Sequence, residues 1–146
     1  MELDIEDRIA VTDLINSHGH YADDGDFDGM FTLFTDDVVY DLTDLGMGEL
    51  VGREQIGAAG RELGDDNPVA HLVTNIVLRP VGPDEVHARS KAIAVMGDGN
   101  ASSATYDDVV LRTSDGWRIS HRTITARRVP LSGVHRAGHQ GAGHQG

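Results

Sequence analysis

The sequence predicts an α+β fold in which three helices pack against one face of a curved antiparallel β-sheet. Apolar residues recur at three- and four-residue spacing over the first third of the 146-residue chain, as on the buried face of a helix. From residue 69 onward, the chain carries four runs of strand-forming residues separated by short turn sequences. Helices followed by a meander of strands are typical of a two-layer α+β domain.

Two amphipathic helices are predicted at the start of the chain. The first covers residues 4–22, with an apolar stripe that includes His18 and Tyr21, and it ends at Gly25. Asp26 is a suitable N-cap for a short second helix rich in Phe and Met, because its carboxylate can accept hydrogen bonds from the first free N–H groups.

A strand, a loop and a third helix follow. The apolar run 38–43 predicts a strand, and the segment DLGMGELVG after it predicts a loop because of its three glycines. Residues 53–63 predict a helix that two internal glycines weaken.

The four later runs predict the long strands of the sheet, which cover residues 69–79, 85–96, 102–113 and 117–128. A sheet curved around helices leaves a cone, and the open end of the cone is a natural pocket for a small molecule. Strict alternation along each strand puts three sets of side chains on common faces: His71 with Val73, Asn75 and Val77; Tyr106 with Asp108, Val110 and Arg112; Trp117 with Ile119, His121 and Thr123.

Composition and charge exclude several classes of function. The chain has 12 Lys and Arg against 24 Asp and Glu, a net charge of −12, and such an acidic surface repels the phosphate backbone of nucleic acids. There is no cysteine, which excludes disulfides, thiol catalysis and thiolate metal sites. No apolar run reaches the roughly 18 residues that a membrane span needs, and the acidic N-terminus is unlike a signal peptide. We expect a cytoplasmic protein that binds neither nucleic acid nor membrane.

The domain organisation follows from where apolar residues stop. Residues 1–130 are predicted to form a single domain, and residues 131–146 a flexible tail rich in glycine and histidine. Loose metal binding by the histidines of the tail is the alternative to this interpretation.

Several motifs together resemble the NTF2-like superfamily, and within it the SnoaL-like polyketide cyclases and the scytalone-dehydratase-like group. They are YADDGDFDGMFTLFTDDVVYD, GREQI, HLVTNIVL and YDDVVLRTSDGWRISHR, and the resemblance covers residues 5–128. It implies a cone-shaped α+β fold and acid–base chemistry without a cofactor or metal. The superfamily also contains isomerases, epoxide hydrolases and non-catalytic binding modules, so the fold alone does not fix the reaction.

The resemblance implies a catalytic pair, Asp23 and His71. The dehydratases carry an aspartate at the end of the first helix and a histidine near the start of the strand after the third helix, and these two residues match those positions. Histidine titrates near neutral pH and can therefore take and return a proton. Four other aspartates of the acidic segment between residues 20 and 37, namely Asp26, Asp28, Asp36 and Asp37, are interpreted as caps and turn residues. Six further residues are expected to bind the substrate: His18, Tyr21, Tyr40, Tyr106, Asp108 and His121.

Other members of the superfamily match less well. The isomerases have a tyrosine where this chain has His18 and a carboxylate near the position of Leu42. The epoxide hydrolases have Arg-x-Asp on a middle strand, where this chain has Arg89, Ser90 and Lys91. A metal site built from His18, His71, His121 and Asp23 is a further alternative, but the sequence has no short ligand spacing that favours it.

The expected partners are a hydrophobic small-molecule substrate and further copies of the same chain. Val109 and Leu111 alternate with Val110, so both faces of this strand carry apolar residues. A face exposed to water would carry polar residues instead, so we predict a homodimer or homotrimer through the outer face of the sheet.

Overall fold

The three α-helices of the described part of the chain all lie in its N-terminal half. The computed structural model describes residues 2–134, and its helices are α1 (Ile5–Asp24), α2 (Phe27–Phe31) and α3 (Arg53–Leu63). Asp4 caps α1 by accepting a hydrogen bond of 2.8 Å from the backbone N–H of Asp7. Gly25, with φ 66°, ends the helix in the left-handed conformation that glycine adopts without strain.

Within residues 2–134, six strands form one sheet in the order β2-β1-β6-β5-β4-β3. Their bounds are β1 (Phe34–Leu42), β2 (Gly48–Val51), β3 (Ala70–Gly82), β4 (Glu85–Val95), β5 (Ala101–Thr113) and β6 (Gly116–Arg127). The predicted α+β architecture is confirmed, but the sheet is mixed rather than antiparallel, because β1 runs parallel to β6. The long chain between these two strands makes a parallel pairing possible. The segment expected to be a loop contains β2, which pairs with β1.

Two β-bulges change which side chains face the helices. One lies at Asn75 of β3, whose φ is 54°, and the other interrupts the pairing of β6 with β5 next to His121. A bulge adds one residue to one strand, so every later side chain on that strand moves to the opposite face. The alternation predicted from the sequence is therefore wrong beyond each bulge: Val77 is 66% exposed, and Arg122 is buried while His121 faces outward.

The core lies between the helices and the inner face of the sheet. Its most deeply buried apolar side chains come from α1, β1 and the three central strands, and they are Val11, Ile15, Phe34, Val38, Val86, Val110 and Ile119. The cavity described below lies between the helices and this face of the sheet.

The C-terminal end of the described chain is a short 3-10 turn, Pro130–Gly133. The tail predicted over residues 131–146 lies outside the described residues from residue 135 onward. Within residues 2–134, no helix is long and apolar enough to cross a membrane.

Candidate active site

A cavity of about 1180 Å³ lies between the helices and the inner face of the sheet. One wall consists of Ala92, Ala104 and Ala126, which are direct neighbours across β4, β5 and β6. Because their methyl groups project little from the sheet, this wall leaves room for a bulky ligand. Polar side chains converge on the cavity from α1, β1, β3 and β5, and they are His18, Asp23, Tyr40, His71 and Tyr106.

Asp23 and His71 form a closely bonded pair at the cavity. Nδ1 of His71 lies 2.7 Å from Oδ1 of Asp23, and the backbone N–H of His71 donates to the two carboxylate oxygens at 2.9 and 3.1 Å. The side chains of Asp23 and His71 remain 28% and 20% exposed, respectively. Three hydrogen bonds fix the carboxylate at the C-terminal end of α1, where the helix dipole alone would disfavour a negative charge.

The contact with Asp23 determines which ring nitrogen of His71 can act as a base. A carboxylate only accepts hydrogen bonds, so the neutral ring carries its proton on Nδ1 and has its lone pair on Nε2. Among residues 2–134, no side chain or backbone group bonds to Nε2. His71 therefore presents a proton acceptor to a ligand in the cavity.

Gly19 explains how α1 and β3 come close enough for this pair. A Cβ atom at this position would lie 2.3 Å from the carbonyl oxygen of His71, well inside van der Waals contact. Only glycine permits this approach, which brings Asp23, one turn further along α1, to β3.

His18, Tyr40 and Tyr106 form the buried end of the site. The Tyr40 hydroxyl lies 3.4 Å from Nε2 of His18, and the ring centroids of His18 and His71 are 6.1 Å apart with perpendicular planes. Burial lowers the pKa of His18 well below its usual value, and the positive charge of Arg122 lowers it further. Burial also raises the pKa of both tyrosines. These groups are therefore uncharged at neutral pH and can donate or accept hydrogen bonds.

A fully buried ion pair lies beside the two tyrosines. Nε and Nη2 of Arg122 donate to the two carboxylate oxygens of Asp108, both at 2.7 Å, and neither side chain is exposed. The guanidinium carbon lies 4.3 Å from the ring centroid of Tyr106 and 5.9 Å from that of Tyr40. The pKa of Arg122 is raised because the attraction of Asp108 outweighs the opposing effect of burial, so the pair is ionised.

The family model of the SnoaL-like domain matches residues 3–123. The chain belongs to the SnoaL-like domain family. No curated protein matches the sequence.

Solved structures agree with this membership and with the NTF2-like fold. An NTF2-like protein with a cystatin-like fold from Novosphingobium aromaticivorans DSM is 25% identical, with 88% of this chain and 86% of that chain covered and a TM-score of 0.74. A proposed aromatic ring hydroxylase from the same organism is 28% identical, with 88% and 94% covered and a TM-score of 0.74. A proposed scytalone dehydratase from Novosphingobium aromaticivorans DSM 12444 is 16% identical, with 85% of this chain and 86% of that chain covered and a TM-score of 0.72. This similarity supports the fold alone.

Three of the residues expected to bind substrate do not line the cavity of this SnoaL-like domain. The Tyr21 ring packs against Gly29, where an added Cβ atom would lie 2.6 Å from it. Asp108 is buried and bonded to Arg122, so its oxygens are not available to a substrate. The bulge in β6 turns His121 to the outer face, where it lines a separate groove of about 420 Å³.

The bulge also separates the four residues considered for a metal site in this SnoaL-like domain, because it moves His121 away from His18, His71 and Asp23. Within residues 2–134, no group of three or more His, Asp or Glu side chains has the arrangement of a metal site.

Three other aspartates of the acidic segment have structural positions, one as a helix cap and two in a strand. Asp26 caps α2 by accepting a hydrogen bond of 2.9 Å from the N–H of Gly29, as predicted. Asp36 and Asp37 were interpreted as cap or turn residues but belong to β1, and Asp36 pairs with Arg53 at 2.7 Å.

The alanine wall and the position of Arg122 beside the two tyrosines were not predicted from the sequence. Two alanines at alternate positions, Ala92 and Ala94, were the available signal, since small residues repeated on one strand face indicate an open space. Arg122 could not be assigned to the cavity side without knowledge of the bulge.

Proposed function

We propose that this SnoaL-like protein is a cofactor-independent acid–base enzyme of the cyclase, dehydratase or isomerase type. Its substrate is a hydrophobic small molecule, and its place is in natural-product or secondary metabolism. The observation that carries the proposal is the Asp23–His71 hydrogen bond of 2.7 Å beside a largely apolar cavity, with Nε2 of the ring unbonded among the described residues.

The proposed reaction begins with proton transfer to His71. Nε2 removes a proton from a carbon next to a carbonyl group, and the electron pair of the C–H bond moves into an enolate. Asp23 stabilises the imidazolium that forms, as a carboxylate does in other His–Asp pairs. The hydroxyl of Tyr40 or Tyr106, or the ring of His18, donates a hydrogen bond to the enolate oxygen.

The second step distinguishes the three reaction types. In an isomerisation, the imidazolium returns the proton to a different carbon. In a dehydration, it protonates a hydroxyl group that leaves as water while the enolate electrons form a double bond. In a cyclisation, the enolate carbon attacks a second carbonyl of the same molecule and the proton goes to the new alkoxide. Each route regenerates neutral His71, so no cofactor is needed.

The test uses proton exchange, because it does not require the natural substrate. A panel of hydrophobic cyclic ketones and β-hydroxy ketones is incubated with the protein in D₂O, and deuterium uptake or loss of water is followed by NMR. His71→Ala is expected to lose about 10²- to 10⁴-fold of the rate, the usual contribution of general acid–base catalysis. Asp23→Asn is expected to lose nearly as much, since the amide cannot stabilise the imidazolium.

A double variant and a control variant complete the experiment. The double variant is expected to be scarcely slower than either single variant, because the two residues act as one unit. His20→Ala changes an exposed histidine of α1, the helix that carries Asp23, and is expected to leave the rate unchanged. Full exchange activity in folded His71→Ala would refute the proposed role, and an inactive wild-type protein that still binds these ketones would favour a binding module.

Epoxide hydrolysis receives less support from the geometry. That reaction requires an arginine near the substrate, whereas Arg89 lies on the outer face and pairs with Asp107 at 3.6 Å.

We also propose a homodimer or homotrimer through the outer face of the sheet. Val77 and Leu72 support this proposal, because they are 66% and 49% exposed on that face. Sedimentation is expected to give a multiple of the 15.7 kDa chain mass, and a monomer at micromolar concentration would contradict the proposal.

A further inference from the structure

The Asp108–Arg122 pair is a buried ionic group that the proposed reaction does not use directly. Both side chains are inaccessible to solvent, and removing two charges from water carries a large free-energy cost that their mutual attraction must offset. A protein in which apolar residues of similar volume replace such a pair is often equally stable. A function of the charge is therefore worth seeking among the groups that contact it.

The free edge of the guanidinium identifies those groups. Arg122 uses Nε and Nη2 for Asp108, and Nη1 is buried without a hydrogen-bond partner in residues 2–134. Arg122 lies opposite Tyr40 in the parallel pairing of β1 with β6. On the other side, β5 carries Asp108 and, two residues earlier on the same face, Tyr106. The cation is thus held between the two tyrosines that line the cavity.

The charge acts on the tyrosine hydroxyls. Burial raises the pKa of Tyr40, and the positive charge of Arg122 opposes that rise. Burial also raises the pKa of Tyr106, the neighbouring Tyr40 raises it further, and the positive charge of Arg122 opposes the rise. A positive charge next to a phenol polarises its O–H bond and strengthens the hydrogen bond that the group donates to an anion.

We infer that Arg122, fixed by Asp108, is a positioning residue that prepares Tyr40 and Tyr106 to bind a negatively charged oxygen of the substrate. The inference rests on the proposed function and specifies it: the substrate carries a carbonyl or phenol oxygen that becomes an oxyanion at this end of the cavity. Asp108 fixes the plane of the guanidinium through two bonds and thereby keeps its charge over the Tyr106 ring.

The experiment measures the ionisation of a bound phenol. 4-Nitrophenol is titrated with pH in the presence of excess protein, and its phenolate is followed by absorbance. The wild-type protein is expected to lower the pKa of the bound probe by about one unit, which is a tenfold preference for the phenolate. Arg122→Gln combined with Asp108→Asn keeps a neutral hydrogen-bonding pair and is expected to abolish the shift.

Matched variants show whether a loss of the pKa shift comes from the missing charge or from general structural damage. Arg89→Gln combined with Asp107→Asn makes the same change in the ion pair on the outer face and is expected to retain the full shift. Tyr106→Phe is expected to reduce it even if the buried double variant fails to fold. Arg122→Lys, which keeps the charge but not the planar bidentate contact, is expected to retain part of it.

The outcomes also distinguish failure of the oxyanion site from failure of His71 as the proposed base. A shift that persists in His71→Ala, together with loss of proton exchange, supports both proposals. A shift with no exchange activity in the wild-type protein supports the oxyanion site and refutes the base. An unshifted pKa in the wild-type protein, failure of 4-nitrophenol to bind at millimolar concentration, or a full shift in the folded Arg122→Gln, Asp108→Asn variant overturns the inference.

Discussion

Asp107 and Asp108 are neighbours on β5, and each pairs with an arginine on an adjacent strand, yet the two pairs lie on opposite faces of the sheet. Asp107 and Arg89 are 49% and 69% exposed, with 3.6 Å between their nearest charged atoms. Asp108 and Arg122 are fully buried, with two hydrogen bonds of 2.7 Å. The same two residue types therefore form a solvated surface contact in one case and part of the cavity's electrostatic environment in the other.

Location, more than residue type, decides how much an ion pair contributes to stability. Water and salt screen the outer pair, and such pairs typically contribute less than about 1 kcal/mol. The inner pair is not screened, and the removal of one partner leaves an uncompensated charge in the core. Four predictions test this difference between the inner and outer faces.

The largest effect is expected from the two aspartates themselves. Asp108→Asn leaves Arg122 buried without its counter-charge and is expected to lower the free energy of unfolding by about 3–5 kcal/mol. Asp107→Asn is expected to lower it by less than about 1 kcal/mol. Urea unfolding of both variants measures the difference, and equal losses would contradict the comparison.

A second effect is expected where α1 meets the inner face of the sheet. Gly19→Ala places a Cβ atom against the carbonyl oxygen of His71, so α1 and β3 must separate. Overpacking of this kind costs about 1–3 kcal/mol, and the Asp23–His71 hydrogen bond is expected to be lost as well. Asn16→Ala, an exposed position on the same helix, serves as the control. Thermal unfolding gives the stability, and the NMR signal of the Nδ1 proton reports the hydrogen bond; a retained signal in Gly19→Ala would show that the close approach is not required.

The third prediction compares a buried with an outward-facing histidine as the pH falls. The folded-state pKa of His18 lies well below its ordinary value of 6.5, so below pH 6.5 the unfolded chain binds a proton that the folded protein does not. Stability is therefore fully present above about pH 6.5 and is lost towards the folded-state pKa, by up to about 1.4 kcal/mol per pH unit. His18→Gln is expected to flatten the profile below pH 6.5. His121→Gln is the control, and an equal flattening in it would assign the effect to histidines in general.

The smallest change in stability is expected from adjacent residues of β6. Ala126→Leu extends a side chain into the cavity and is expected to weaken binding of the neutral apolar probe N-phenyl-1-naphthylamine at least about tenfold, a loss of about 1.4 kcal/mol. The free energy of unfolding is expected to change by less than about 1 kcal/mol, because open space receives the added atoms. Thr125→Leu changes the outer face and is expected to leave binding unchanged. Fluorescence titration measures the affinity, and unimpaired binding by Ala126→Leu would place the probe elsewhere.

The sequence predicted much of the fold because its signals are local. The apolar stripe of α1, the cap at Asp26 and the turn sequences between the long strands each depend on a few neighbouring residues. Residues 53–63 were predicted as a helix and form α3 with those bounds. The segment containing β2 was missed because four residues with a glycine at their start carry little strand signal.

The candidate site was accessible from the sequence only in part. Asp23 and His71 were proposed together through the resemblance to dehydratases, and the structure brings them within 2.7 Å. The orientation of His121 and Arg122 was not accessible, because one additional residue in β6 reverses a pattern of period two. No residue type in SHRT marks the position of that bulge.

The sequence by itself determined the α+β class, the SnoaL-like family and the residues available for acid–base chemistry, because periodicity and motifs are properties of short segments. The tertiary structure alone decided that β1 pairs in parallel with β6, that Arg122 faces Asp108, and that Gly19 contacts His71. Each of these depends on segments far apart in the chain. Their relative positions follow from the packing of the whole core, which no local pattern specifies.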